Sequence, residues 1–97
     1  MNLMKIKTYV GFATKSRSAL IGTDNILKSK KNKLILVSSE LSIQALNKIQ
    51  IVANSQKIDI VKLTGTEMFS VISKSGIKAL SITDDNLANA IKSCLTE

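Results

Sequence analysis

The chain has 97 residues, of which 44% are hydrophobic and 22% are charged, a mixture typical of a single globular domain with one core. Aromatic residues make up only 3% and proline is absent, which argues against an all-β or linker-rich protein and favours an aliphatic α/β core. Fourteen lysines and arginines face seven acidic residues, and the resulting net charge of +7 favours an anionic partner, above all nucleic acid.

The chain lacks the residues that most catalytic and metal sites use. It has no histidine, which is the commonest general base and metal ligand, and its single cysteine, Cys94, can neither form an internal disulfide nor supply a pair of zinc ligands. It also contains no phosphate-loop lysine motif and no dinucleotide-binding fingerprint. We therefore expect a non-catalytic protein with no cofactor and no bound metal, in which Cys94 is a partly buried, inert thiol.

No apolar run in the sequence is long enough to span a bilayer, and the amino terminus carries no export signal. From these two absences we expect a cytoplasmic protein with no membrane partner.

Apolar residues at helical spacing alternate with short apolar runs along the whole chain. The first half of the sequence predicts a helix over 3–16, a short strand over 19–21, a helix from about Thr23 into the lysines and a strand over 33–38. The second half predicts a helix over 42–54, a strand over 58–63 and a short helix before a polar loop over 73–76. A strand over 78–83 and a final helix from about Asp85 complete the chain. The helical residues expected to face the core are Leu3, Ile6, Val10, Ala13, Ile43, Leu46, Ile49, Val52, Met68, Val71, Ile72, Leu87, Ala90, Ile91 and Cys94. This alternation predicts a central, largely parallel sheet with helices on both faces, and the continuous apolar run over 33–38 predicts a strand buried on both faces.

Polar residues that can accept a hydrogen bond from a backbone N–H precede each helix after the first. The candidate caps are Thr23 or Asp24, Ser39 or Ser42, Thr64 or Thr66 with Glu67 in the first turn, and Asp84 with Asp85. The Asp84-Asp85 pair could also bind a metal, but Thr-Asp-Asp at a helix start is far more often a cap.

Segment 22–33 is the most informative part of the chain. Gly22 lets the backbone turn, and Asp24, Asn25 and Lys28 then fall on one face of a helix whose N–H groups and positive dipole end point outward. Six of the bases but only one acid, Asp24, lie between residues 15 and 33, and these bases are Lys15, Arg17, Lys28, Lys30, Lys31 and Lys33. The segment is consistent with an RNA-docking site or, alternatively, with a capped surface helix whose lysines are simply solvated.

Aromatic residues are too few for a typical single-strand binder. Tyr9, Phe12 and Phe69 are the only rings in the chain, whereas proteins that bind single strands normally stack several bases on aromatic side chains. If RNA is the partner, we therefore expect a structured RNA.

Five motifs follow one another at family-like spacing. Gly11–Ser18 ends the first helix, Lys33–Glu40 covers a strand, and Ala79–Asp84 covers the last strand. Gly22–Lys28 stands where a known family has Gly-x-Asn-Glu-x-x-Lys. Met68–Lys74 stands where the same family has Leu-Gly-x-Ala-Ile-Gly-Lys. In these motifs the chain resembles the ribosomal kink-turn RNA-binding protein superfamily (ribosomal L-seven-Ae, L-thirty-e and S-twelve-e type), small bacterial branch. The resemblance covers nearly the whole chain and implies a single domain over 1–97 of the α/β class, a three-layer α-β-α sandwich around a four-stranded mixed sheet.

The resemblance also implies a function and a set of site residues. It implies a monomeric protein that binds a kink-turn or other ribosomal RNA, with ribosomal or other translation proteins as further partners. The recognition helix would contribute Gly22, Thr23, Asp24, Asn25 and Lys28. A lip over an extruded base would consist of Val71, Ile72 and Ser73. The phosphates would meet Lys15, Arg17, Lys30, Lys31, Lys33 and Lys74.

The chain departs from the family pattern at positions that matter for RNA binding. The family's Asn-Glu pair is Asp24-Asn25 here, and family glycines are replaced by Arg17, Phe69 and Ser73. These departures support a rival hypothesis, a protein–protein interaction module on the same fold with RNA binding weakened or lost. The retained basic residues favour RNA.

Overall fold

A computed structural model describes all residues from 1 to 97. Its elements are α1 (Leu3–Lys15), β1 (Ala19–Ile21), α2 (Thr23–Lys28), β2 (Leu34–Ser38), α3 (Ile43–Gln56), β3 (Asp59–Leu63), α4 (Gly65–Ile72), β4 (Ala79–Ile82) and α5 (Asp85–Leu95). All nine elements occur in the predicted order, with boundaries that differ by a few residues at most. None of the helices is both long enough and apolar enough to cross a membrane.

The four strands form one mixed sheet in the order β1-β4-β2-β3. Only β2 and β3 pair in parallel, whereas β4 is antiparallel to both β1 and β2. The expectation of a largely parallel sheet is therefore wrong, and the predicted mixed sheet is confirmed. The difference arises because β1, β2 and β3 run in one direction and β4 inserts between β1 and β2 in the opposite direction.

Two apolar layers enclose the sheet and make the fold the predicted α-β-α sandwich. On one face, α1, α4 and α5 pack around Leu34 and Leu36 of β2. On the other face, α2 and α3 pack around Ile35 and Val37 of the same strand. All five residues of β2 are buried, which confirms that this strand is covered on both faces.

The helix caps agree with the sequence at three helices and differ at one. Ser42 accepts a hydrogen bond from the backbone of α3, Asp84 does so for α5, and Thr64 forms a reciprocal capping box with Glu67 on α4. At α2 neither Thr23 nor Asp24 is the cap, because Gly22 occupies that position with φ 94° and no side-chain bond. A left-handed φ of this kind favours glycine. The cap position therefore falls on Gly22, one residue before the expected Thr23.

Three residues expected in the core lie outside it. Ile43, the first residue of α3, is 76% exposed, although it follows the spacing of Leu46 and Ile49. Val52 and Ala90 are half-buried and belong to neither apolar layer. On α3 the second apolar layer instead includes Ala53, which is 1% exposed.

A buried polar network ties α2 to the sheet and to α3. The Asn32 side chain, 2% exposed, donates hydrogen bonds to the carbonyl oxygens of Ile26 (3.1 Å) and Ser29 (3.0 Å) at the end of α2. Its Oδ1 atom accepts a 2.6 Å hydrogen bond from the Ser81 hydroxyl, and its amide also donates to Gln56. The Gln56 amide in turn donates to Ser29 at 2.9 Å. The carboxyl-terminal end of α2 is therefore held at several points.

The first and last helices meet near the chain ends. The backbone N–H of Asn2 donates to the Cys94 carbonyl oxygen, and Lys5 Nζ lies 3.0 Å from Glu97 Oε1. This hydrogen bond lowers the pKa of Glu97 and raises the pKa of Lys5. Cys94 itself is 2% exposed in the first apolar layer, so the thiol is more deeply buried than the partly buried one that the sequence predicts.

Burial makes the Cys94 thiol a test of the packing between α1 and α5. Burial raises the pKa of Cys94, so that less of the reactive thiolate is present at pH 8 than for a free cysteine. We expect a thiol reagent to modify the native protein at least about a hundredfold more slowly than the protein unfolded in urea, because modification requires local opening. Equal rates in the two states would contradict the packing described here.

Candidate nucleic-acid interface

The exposed side of α2 carries three of the predicted recognition residues. Asp24, Asn25 and Lys28 are all exposed, whereas Gly22 and Thr23 are half-buried. Helical side chains lean toward the amino-terminal end, so Lys28 leans over the turn that holds Asp24 and Asn25. Neither Lys28 nor Asp24 forms an ion pair. The three ion pairs of the protein involve the lysines Lys5, Lys33 and Lys92. Both charged groups are therefore available to a ligand.

The start of α2 is fixed by its neighbours. The Gly22 N–H donates to the Ala79 carbonyl oxygen at 3.0 Å, and the Asn25 amide donates to the Ile21 carbonyl oxygen at 2.8 Å. Ile26 is fully buried between α2 and α3. With the Asn32 network at its other end, α2 presents its exposed side chains from a firmly held position.

The dipole contributes less to this surface than the sequence suggested. The helix has only six residues, about 9 Å at 1.5 Å per residue, so its dipole is smaller than that of a longer helix. The exposed side chains of Asp24, Asn25 and Lys28 are therefore the main chemical feature of this surface.

The predicted basic residues gather toward one end of the sheet. The pairing of Ala19 and Leu34 with Ile82 places the segments before β1 and β2 at this end. Arg17, Lys30, Lys31 and Lys33 belong to these segments, and Lys33 Nζ lies 3.9 Å from Asp85. The pairing of Ile21 with Leu80 places Gly22 at the opposite end, together with the loop that precedes β4. The start of α2 is therefore apart from these bases, whereas its last residue, Lys28, leads directly into them.

The predicted lip over an extruded base is only partly available. Val71 is 2% exposed and packs in the first apolar layer, so its assignment to the lip is wrong. Its position follows from α4 packing on α1, which turns this side chain inward. Ile72 is half-buried, whereas Ser73 and Lys74 are exposed at the end of α4.

Residues that the sequence reasoning missed line a groove between α1 and α4. Three adjoining depressions have volumes of about 360, 370 and 220 Å³, and each of Lys7, Phe69, Ser73 and Lys74 lines two of them. Lys15 lines the smallest of them, together with Lys7 and Lys74. Helical spacing could have shown that Lys7, Gly11 and Lys15 follow one side of α1, but it could not show that α4 lies beside them.

Comparison with known proteins shows the fold. No family model matches the chain, and no curated protein matches it. The chain is similar to the solved structure of a protein with unknown function from Bacillus halodurans. The two share 18% identity with a TM-score of 0.83, covering 96% of this chain and 98% of that one. At this identity the likeness shows a shared fold alone.

Nowhere do three or more histidine, cysteine or acidic side chains come together as a possible metal site. The Asp84 carboxylate accepts a hydrogen bond from the Leu87 N–H at 2.9 Å. Of the two roles that the sequence allowed for Asp84, helix cap or metal ligand, this bond is that of a helix cap.

Proposed function

We propose that this protein is a non-catalytic, cytoplasmic RNA-binding protein of the ribosomal kink-turn type, associated as a monomer with the ribosome or with translation. It binds a kinked RNA through the exposed side of α2. The observation that carries the proposal is the set formed by Asp24, Asn25 and Lys28, which are exposed on one side of a firmly held helix and form no ion pair with each other.

The chemistry of these side chains suits base edges. The Asp24 carboxylate can accept hydrogen bonds from the amino and imino groups of guanine, and the Lys28 ammonium can donate to guanine O6 or N7. The Asn25 amide already donates to the Ile21 carbonyl oxygen, which leaves its own oxygen free to accept. Guanines exposed at the bend of a kinked RNA offer these partners.

Backbone conformation at two of the departures supports the resemblance. Arg17 has φ 59° and Ser73 has φ 58°, both in the left-handed region. The family has glycine at these two positions, and glycine takes this conformation without strain. The chain therefore keeps the backbone that such glycines would serve, even though the residues differ.

Neutralising Lys30 and Lys31 together, as Lys30→Gln with Lys31→Gln, should weaken the binding of all RNAs to a similar degree. Each lost phosphate contact should reduce the slope of log affinity against log salt by about one. The measurement is a titration of labelled RNA at two salt concentrations, with Lys62→Gln on the edge strand β3 as the control. An affinity that is the same at low and high salt for the wild type would contradict phosphate binding.

A second candidate function, a protein–protein interaction module on the same fold, is favoured by α3. Ile43 and Ile51 are 76% and 68% exposed there, and a protein partner could cover these two large apolar side chains. Kink-turn and plain duplex RNA titrations separate the two candidates, because an interaction module would prefer neither RNA.

A further inference from the structure

The groove between α1 and α4 suits a short piece of unpaired RNA. We define the α1–α4 groove by Met4, Lys7, Gly11 and Lys15 on one side and by Phe69 and Lys74 on the other. We propose that it holds an unpaired segment that continues from the bound RNA, with one base stacked on Phe69 and its phosphates on the three lysines. The proposal rests on the proposed function only in taking RNA as the ligand, since the groove does not include α2.

The charge of the groove selects an anionic chain. Lys7, Lys15 and Lys74 are exposed and take part in no ion pair. Glu40 is the only acidic residue that lines any of the three depressions. Its carboxylate sits against the start of α4, where a Cβ atom on Gly65 would be 2.7 Å from it. The two depressions that α1 lines therefore attract phosphates without an opposing charge, and Glu40 lines only the third, together with Lys74.

The apolar part of the groove suits a nucleobase. The Phe69 ring is 54% exposed, and the neighbouring Met4 side chain is 83% exposed. A base stacks on an aromatic ring whatever its identity, because every base has a π face. With one ring in the groove, a single stacked base beside a structured RNA is the expected arrangement, which agrees with the scarcity of aromatic residues in the chain.

Gly11 leaves the floor of the groove open. It lies inside α1, where glycine is disfavoured relative to alanine. A Cβ atom placed on it would meet no atom within 4 Å, so the packing of the protein does not demand glycine there. A larger side chain at this position would enter the groove without disturbing the core.

The experiment compares two forms of one kinked RNA, blunt and with an unpaired extension of about four uridines, placed at each end in turn. We expect the wild type to bind one extended RNA at least about fivefold more tightly than the blunt RNA, the lower limit of a stacking contact. Phe69→Ser and Gly11→Leu should abolish this gain and leave affinity for the blunt RNA unchanged. Phe12→Ser is the matched control, because Phe12 is 53% exposed and lines none of the depressions. Circular dichroism confirms that each variant is folded.

The outcomes separate this inference from the proposed function. No gain from either extension in the wild type overturns the inference, while preference for the kinked RNA can still stand. An equal loss of affinity for blunt and extended RNA in Phe69→Ser also overturns it. If straight duplexes bind as well as kinked ones but gain from the extension through Phe69, the inference stands and the proposed function fails. Failure to bind any RNA overturns both and leaves the groove to a protein partner.

Discussion

Asn32→Ala should lower the free energy of unfolding by about 2–4 kcal/mol, because it leaves the buried Ser81 hydroxyl without a partner and removes the hydrogen bonds that the Asn32 amide donates. The Ser81 hydroxyl, which is fully buried, loses the oxygen to which it donates at 2.6 Å. The carbonyl oxygens of Ile26 and Ser29 lose the hydrogen bonds that the Asn32 amide donates. The Ser29 carbonyl oxygen keeps only the hydrogen bond from the Gln56 amide. Urea unfolding followed by circular dichroism measures the change.

The substitution should also weaken RNA recognition by the exposed side of α2, since the network holds the end of this helix. In a folded sample of Asn32→Ala we expect a smaller preference for kinked RNA, although Asn32 itself is buried. Asn47→Ala, at an exposed position on α3, is the control and should change the free energy of unfolding by less than about 0.5 kcal/mol. An equally small change for Asn32→Ala would mean that the network does not hold α2.

Lys28→Ala should cost about 1–3 kcal/mol in binding to a kinked RNA and less in binding to a straight duplex. The substitution removes a hydrogen-bond donor to a base edge as well as a positive charge. Binding to a straight duplex uses only the charge, so the duplex should lose less affinity. The side chain is exposed at the last residue of α2 and forms no ion pair. Little effect on stability is therefore expected, and titration of both RNAs with each protein gives the comparison.

Lys62→Ala controls for the charge. Lys62 is exposed on β3, at the opposite edge of the sheet from β1, on which α2 packs. If the two alanine variants weakened the binding of kinked and straight RNA to the same degree, Lys28 would contribute charge and no base recognition.

The pattern of helices and strands was predictable because each element carries its own periodic signal. The features that were not predictable depend on contacts between residues far apart in the chain. The antiparallel insertion of β4 and the bond from Ser81 to Asn32, 49 residues away, have no local pattern. Ile43 follows the helical spacing and is still exposed, because the spacing within α3 does not show which of its residues the rest of the fold covers.

The candidate site shows the same limit. Asp24, Asn25 and Lys28 could be grouped from the sequence, since they share one short helix. Arg17 and the lysines after α2 could be grouped because they are close in sequence, but that Lys15 shares a depression with Lys74, 59 residues later, has no local pattern. Val71 was assigned to the lip from its position in a motif, whereas the packing of α4 on α1 buries it.

The most direct test of the central proposal is a titration of the wild-type protein with a labelled kink-turn RNA and with a plain duplex of equal length at the same salt concentration. Base-edge contacts from Asp24 and Lys28 should make the kink-turn bind at least about tenfold more tightly, the equivalent of about 1.4 kcal/mol. Equal affinity for the two RNAs would contradict the account and would favour the protein-interaction function instead.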